Sequence, residues 1–245
     1  MAPTTVLITG ANRGLGKELL QMYLARPDHL VIAANRNPEH PTSKALAELP
    51  IGENTRLIVV KLDVSVESDH AEAVTQLIAQ AIDHLDLVIA NAAVANVYPK
   101  VSEITTAELQ DHLTPNVFGV IWLYQATRAL LERSSNPKWV SMGSGAGWLE
   151  NQPPVPSAAY GPSKVAVHWL TKRINFEEEK INAFVVNPGW CRTDMGNRGA
   201  LAYGYAEAPL KVGETIPGIV RLIDAAMKET HGGKLWSHRG TQEAW

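Results

Sequence analysis

Cysteine is nearly missing from this chain: Cys191 is the only one among 245 residues, so no disulfide can form within it. Long hydrophobic runs are missing as well. The longest, such as "LDLVIANAAVANV", are too short and too rich in small residues to cross a bilayer. There is no basic block and no acidic tail. The formal net charge is −3 with a pI near 6.2, which argues against nucleic acid or an anionic membrane as partner. The opening "MAPTTVLITG" enters a strand-like run at once, without the basic start and apolar stretch of a secretory signal. The eight histidines show no metal-ligand spacing, so no metal is expected. Together these absences describe a cytoplasmic protein in a reducing compartment.

What is present is a rhythm. Continuous apolar, β-branched runs occur at 4–9, 30–34, 56–62, 85–91, 138–142 and 181–187. Continuous rather than alternating runs mark strands buried on both faces of a parallel sheet. Helical patterns lie between them, near 15–26, 66–83, 104–132, 158–180 and 213–229, with a weaker one near 43–49. "GGKLWSH" adds a late strand candidate. This βαβ alternation predicts an α/β fold, a Rossmann-type doubly wound parallel sheet. With no linker or repeat, residues 1–245 read as a single domain. Two irregular stretches, 143–157 and about 190–209, follow strand ends, where open α/β sheets bind ligands.

"TGANRGLG" joins the first strand to the first helix, with Gly10, Gly14 and Gly16 spaced Gly-x-x-x-Gly-x-Gly. Small residues there let the backbone approach a pyrophosphate, and the helix start offers free N–H groups. The second strand ends in Asn35 and Arg36, where an NAD enzyme usually carries Asp or Glu. With Arg13 inside the loop, two guanidinium groups are available for a ribose 2′-phosphate, which favours NADP(H). Asp63 follows the third strand and could accept from an adenine amino group. Capping the next helix is its other role, which Ser65 fits better. "NAAV" (91–94) ends the fourth strand either beside a cofactor or as a simple turn.

Tyr160 and Lys164 lie four residues apart and share one face of a helix that Pro162 confines to a start near Tyr160. An ammonium beside a phenol stabilises the phenolate, which would turn a poor acid into a usable one. Ser144, just past the fifth strand, is placed to bond a carbonyl oxygen, with Ser141 as a rival.

Seven segments together carry a resemblance: "TGANRGLG", "LDV" (62–64), "NAA" (91–93), "PNVFG" (115–119), "SMGSGAG", "YGPSK" and "NPGWCRTDM" (187–195). Over essentially its whole length the chain resembles the short-chain dehydrogenase/reductase family. Its last segments look most like the branch of sniffer-type carbonyl reductases and fungal ketoreductases related to norsolorinic acid ketoreductase. The resemblance implies that Ser144, Tyr160 and Lys164 are catalytic, with Asn116 holding a water in a proton relay. It implies cofactor contacts from Asn12, Leu15, Val64, Ala92, Pro188, Gly189 and Thr193 beside those already named, from Asn91, and from Tyr160 and Lys164 themselves. The chain departs from the family pattern at Val94, where a glycine is usual, at Pro115, which should kink its helix, and in an insertion between Ser144 and Tyr160.

The expected reaction is NADPH-dependent reduction of a ketone or aldehyde. Tyr98, Trp148, Trp190, Met195 and Tyr203, with Tyr205, are candidates for apolar walls suited to an aromatic, polyketide-like substrate. Ordinary loop packing is the competing account of each. Cys191 reads as packing rather than a nucleophile. An NADP-binding sensor or a non-redox enzyme on the same fold is the rival function. Trp122, Tyr124, Trp169 and Phe176 are either core or the interface of a homodimer or homotetramer.

Overall fold

In the computed structural model, which describes residues 3–245, the strands form one sheet. They are β1 (Thr4–Thr9), β2 (His29–Asn35), β3 (Arg56–Lys61), β4 (Leu87–Ala90), β5 (Lys138–Met142), β6 (Asn182–Asn187), β7 (Leu235–Ser237) and β8 (Gln242–Glu243). Their order is β3-β2-β1-β4-β5-β6-β7-β8. All pairs are parallel except β7 with β8. The order reverses between β1 and β4, which opens the crevice where such folds bind ligands.

Both faces of the sheet are covered, which is why its strands read as unbroken apolar runs. On β1, Val6 and Ile8 point to one layer, with Leu19, Leu20, Ile219 and Val220 from α1 (Gly14–Leu24) and α8 (Val212–Ala225). Leu7 points to the other, with Leu77, Leu123, Leu131 and Val167. Those four come from α3 (Glu67–Ala79), α5 (Gly119–Glu132) and α6 (Tyr160–Glu177). Each of these side chains contributes on the order of 2 kcal/mol by leaving water.

Short helices α2 (Pro41–Lys44) and α9 (Lys228–His231) lie outside these layers. Ser65 does not cap α3. Its N–H donates to Asp63, and the cap position is Val66, without a side-chain bond. The long helix expected over 104–132 is three pieces. α4 (Thr106–Leu113) opens on a Thr105–Glu108 capping box, a π turn spans Thr114–Phe118, and α5 follows. Pro115 has no N–H to continue the α ladder, and the chain adds a residue to the turn instead. The region expected to be irregular at 190–209 contains a helix, α7 (Asp194–Ala202), capped by the Thr193 hydroxyl, which accepts from the Gly196 N–H at 3.0 Å. Among the aromatic residues of α5 and α6, Tyr124 packs edge-on against buried Trp139. Trp169 and Phe176 are 63% and 79% exposed. No described helix is long and apolar enough to cross a membrane.

Candidate active site

The crevice at the strand ends begins with the glycine loop. Gly14 takes a positive φ of 54°, a conformation costly for any side chain. A Cβ on Gly16 would stand 2.3 Å from the Gly10 carbonyl oxygen. The loop is braced from two sides. Asn35 Oδ1 accepts the Ala11 N–H at 2.9 Å, and Asn91 Nδ2 donates to the Thr9 carbonyl at 2.9 Å. Thr9 Oγ1 accepts from the N–H groups of both Asn91 and Ala92. Asn12 donates to Thr42 at 2.6 Å. Helix α1 then starts with no side chain capping its first turn.

Uncapped N–H groups on a backbone stripped of side-chain bulk fit a phosphate-bearing group. The buried Asn35 Nδ2, which has no partner among the described residues, lies at the strand end beside it. Arg36 is exposed and makes no ion pair among the described residues. Arg13 pairs with Asp194 at 3.2 Å across the crevice, an exposed contact of little energetic weight. Gly14 approaches Thr193, so the glycine loop and the head of α7 face each other. Asp63 is engaged in its own turn through Ser65, and the Val64 carbonyl lies against Gly119.

Beyond β5, the structure gathers the Ser, Tyr and Lys expected from sequence. Ser141 is fully buried, accepting from Trp139 Nε1 and from the Thr171 hydroxyl. That leaves Ser144, three residues on, whose hydroxyl accepts the Ala146 N–H at 3.1 Å and is near enough to the Tyr160 phenol to lower its pKa. Lys164 Nζ donates to the Met142 carbonyl at 2.7 Å and lies 5.6 Å from the Tyr160 ring centroid. Burial governs both titrations. It pushes the Tyr160 phenol up to about 12 despite the lowering influence of the Ser144 hydroxyl, and Lys164 down to about 8. Burial is the largest influence on the phenol, with the Ser144 hydroxyl lowering its pKa and Tyr98 raising it.

Asn116 reaches this site from the π turn. Its Oδ1 accepts the Val94 N–H at 2.8 Å, and its Nδ2 donates to the Val94 carbonyl and to Ser163 Oγ at 2.9 and 3.0 Å. Ser163 in turn donates to the Tyr160 carbonyl. The Asn116 side chain is thus a brace between the β4 loop and α6, and a relay water would have to rest on its main chain. Backbone, not side chain, is used at residue 94, which is why valine is accommodated.

Tyr98, Trp190 and Tyr203 come together as an aromatic cluster. Tyr98 and Tyr203 meet edge-on at 5.2 Å, and Trp190 touches Tyr203 at 6.0 Å and Tyr205 at 5.7 Å. Their polar tips turn to main-chain carbonyls, of Ala95, Gly196 and Pro156 respectively, leaving ring surface for contact. Tyr98 is close enough to Tyr160 for its phenol to raise that pKa further. Trp148 lies against its own loop at Gly145, and Met195 sits in the first turn of α7. Pro188 and Gly189 form the turn after β6, with the Gly189 N–H held by Asn187, whose amide donates to Glu243 on β8. Cys191 is buried, its thiol pushed up by burial, and it contacts the Pro188 carbonyl and Thr215.

Sequence reasoning passed over Thr42, Ser163 and His168. The last lies one further helical turn along the Tyr160–Lys164 face, a spacing that was there to be read.

Comparison with known proteins agrees with this fold. The family model for short chain dehydrogenase matches residues 4–202. A norsolorinic acid ketoreductase of Dothistroma septosporum is 42% identical over 99% of this chain and 92% of its own. An NADPH-bound carbonyl reductase from chicken fatty liver superposes with a TM-score of 0.86 at 23% identity, over the whole of both chains. The carbonyl reductase Sniffer of D. melanogaster does so with 0.85 at 25% identity, over 99% of this chain and all of that one.

Proposed function

The chain belongs to the short-chain dehydrogenase family, an oxidoreductase family, and from that premise we propose that it is an NADPH-dependent ketoreductase of the cytoplasm. Its substrate is a hydrophobic aromatic ketone of the polyketide type. The observation that carries the reading is the Ser144–Tyr160–Lys164 group, its lysine buried, beside an aromatic wall. The identity to a norsolorinic acid ketoreductase supports the substrate class. The exposed Trp169 and Phe176 support pairing of two copies through α6.

When bound, NADPH supplies the hydride. The glycine loop and the α1 N-terminus hold its phosphates, and Arg36 with Arg13 takes the 2′-phosphate. Asp63, Val64, Asn91 and Ala92 border the adenosine half, and Pro188, Gly189 and Thr193 border the nicotinamide. Ser144 and Tyr160 hydrogen-bond the substrate oxygen as negative charge develops on it. Tyr160 then gives that oxygen its proton. A phenol held at about 12 is protonated throughout neutral pH, yet it is a far stronger acid than an alcohol, so it suits reduction. Lys164 carries its charge only below about 8 and favours the phenolate left behind.

Loss of NADPH absorbance is therefore expected with hydroxylated polycyclic aromatic ketones and weakly or not at all with short aliphatic ones. NADPH binding without turnover on any ketone would instead favour a sensor or a non-redox enzyme. The pH profile of kcat/KM should be level through neutral pH and fall above about 8 as Lys164 loses its proton. A rate that climbs through that range would contradict the assignment of Tyr160 as acid. Arg36→Ala should raise the KM for NADPH about tenfold or more, the loss of one charge-assisted phosphate contact, and leave the KM for NADH nearly unchanged. Equal effects on both cofactors would remove Arg36 from the 2′-phosphate site.

A further inference from the structure

Tyr160, Lys164 and His168 stand at successive turns of one face of α6. The proposed reaction uses the first two and leaves the third unexplained. His168 is 3% exposed, and its ring lies against the loop that carries Ser144. Its Nε2 accepts the Ser144 N–H at 3.3 Å. The flanking residues are both glycine where the ring needs the room. A Cβ on Gly143 would come within 2.6 Å of Nε2, and one on Gly147 within 2.7 Å of Cε1. The ring is also met by Trp245, with centroids 5.9 Å apart. Trp245 is itself fixed: its carbonyl accepts the Leu149 N–H at 3.2 Å, and Lys172 Nζ lies 4.9 Å from its ring centroid.

The other hydrogen bonds of residues 144–148 are local. Ala146 donates to Ser144 Oγ, Gly147 to the Ser144 carbonyl and Trp148 to the Gly145 carbonyl. They curl the loop without fastening Ser144 to the body of the fold. The contact from His168 to the Ser144 main chain does fasten it.

We propose that His168 is a positioning residue for Ser144: its neutral imidazole fixes the Ser144 backbone, and Trp245 fixes the imidazole. The proposal rests on the reading of Ser144 and Tyr160 as the carbonyl site. Displacements of about 1 Å in such a site can cost up to about 100-fold in rate, so a small release of this loop is measurable.

The test compares His168→Leu and His168→Gln in the ketone-reduction assay, with NADPH affinity and Tm measured for each. His168→Leu is expected to lower kcat about tenfold or more while the KM values and the Kd for NADPH hold, because the loop moves but the cofactor cradle does not. His168→Gln can return an amide acceptor to the position of Nε2 and should recover most of the rate. Unchanged kcat in His168→Leu overturns the proposal. So does a loss that is equal in the Leu and Gln variants and follows Tm, which is the mark of packing alone. Should His168→Leu not fold, Trp245→Ala releases the same ring by removing its neighbour and must lower kcat at constant NADPH affinity; an unchanged kcat overturns the proposal. Tyr160→Phe in the same assay separates two failures. If it turns over normally, the site reading fails and the proposal with it. If it is inactive while His168→Leu is unimpaired, the positioning role alone falls.

Discussion

Tyr160→Phe is expected to lose about 100- to 10,000-fold in kcat, the usual contribution of a placed general acid, while still binding NADPH. The substitution removes one oxygen from a ring that otherwise remains packed. The phenol's approach to Ser144 is lost, but Lys164 keeps its bond to Met142, and the Asn116–Ser163 brace attaches to the Tyr160 main chain rather than the phenol. The scaffold should therefore be preserved, with Tm changed little. The measurement is single-turnover reduction of a bound ketone at saturating NADPH, beside a binding titration by cofactor fluorescence. A variant that binds NADPH and still reduces the ketone at near the parent rate would show that the proton comes from elsewhere.

Gly16→Ala should be the most damaging small change in the cofactor half of the site. The new methyl would meet the Gly10 carbonyl oxygen at 2.3 Å and Asn91 Nδ2 at 2.6 Å. Neither can yield easily: the first is backbone of the same loop, and the second is bonded to Thr9. Overpacking of this kind typically costs about 1–3 kcal/mol. Because the atoms displaced are those that would cradle the phosphates, the same distortion should weaken NADPH binding tenfold for each ~1.4 kcal/mol. Gly213→Ala is the matched control. It lies in α8 with nothing within 4 Å of the added carbon, and alanine there should stabilise the helix by about 0.5–1 kcal/mol. If Gly16→Ala binds NADPH as tightly as the control does, the loop does not hold the cofactor in the manner proposed.

The sheet was legible because its physics is local: strands covered on both faces need unbroken apolar runs, and residues 138–142 are read to the residue. β8 was not legible. It is two residues long and exists only through its pairing with β7, a tertiary contact with no signal of its own. Helix α7 was hidden by Gly196 and Gly199, which make the stretch read as irregular; its cap at Thr193 and its packing on Tyr98 make the helix. Pro115 was rightly seen as a disturbance, but a kink and a π turn are alike at the level of one missing N–H. The Ser, Tyr and Lys were readable from spacing and resemblance. Their protonation was not, because the burial that governs both titrations comes from segments distant in sequence. The same limit applies to Asn116, whose amide is consumed by Val94 and Ser163, residues that only the fold brings near.

The bond between Asn35 and the Ala11 N–H separates two tasks within one amide. Its oxygen shapes the glycine loop, while its nitrogen, buried and without a partner among the described residues, makes no bond to that loop. Aspartate has the same outline, would keep the oxygen that the loop requires, and would replace the idle nitrogen with the acidic oxygen that NAD enzymes direct at a ribose. On the proposed reading, Asn35→Asp would alter one atom of the brace under the glycine loop, and the choice of electron carrier would then lie between that oxygen and the guanidinium groups of Arg36 and Arg13.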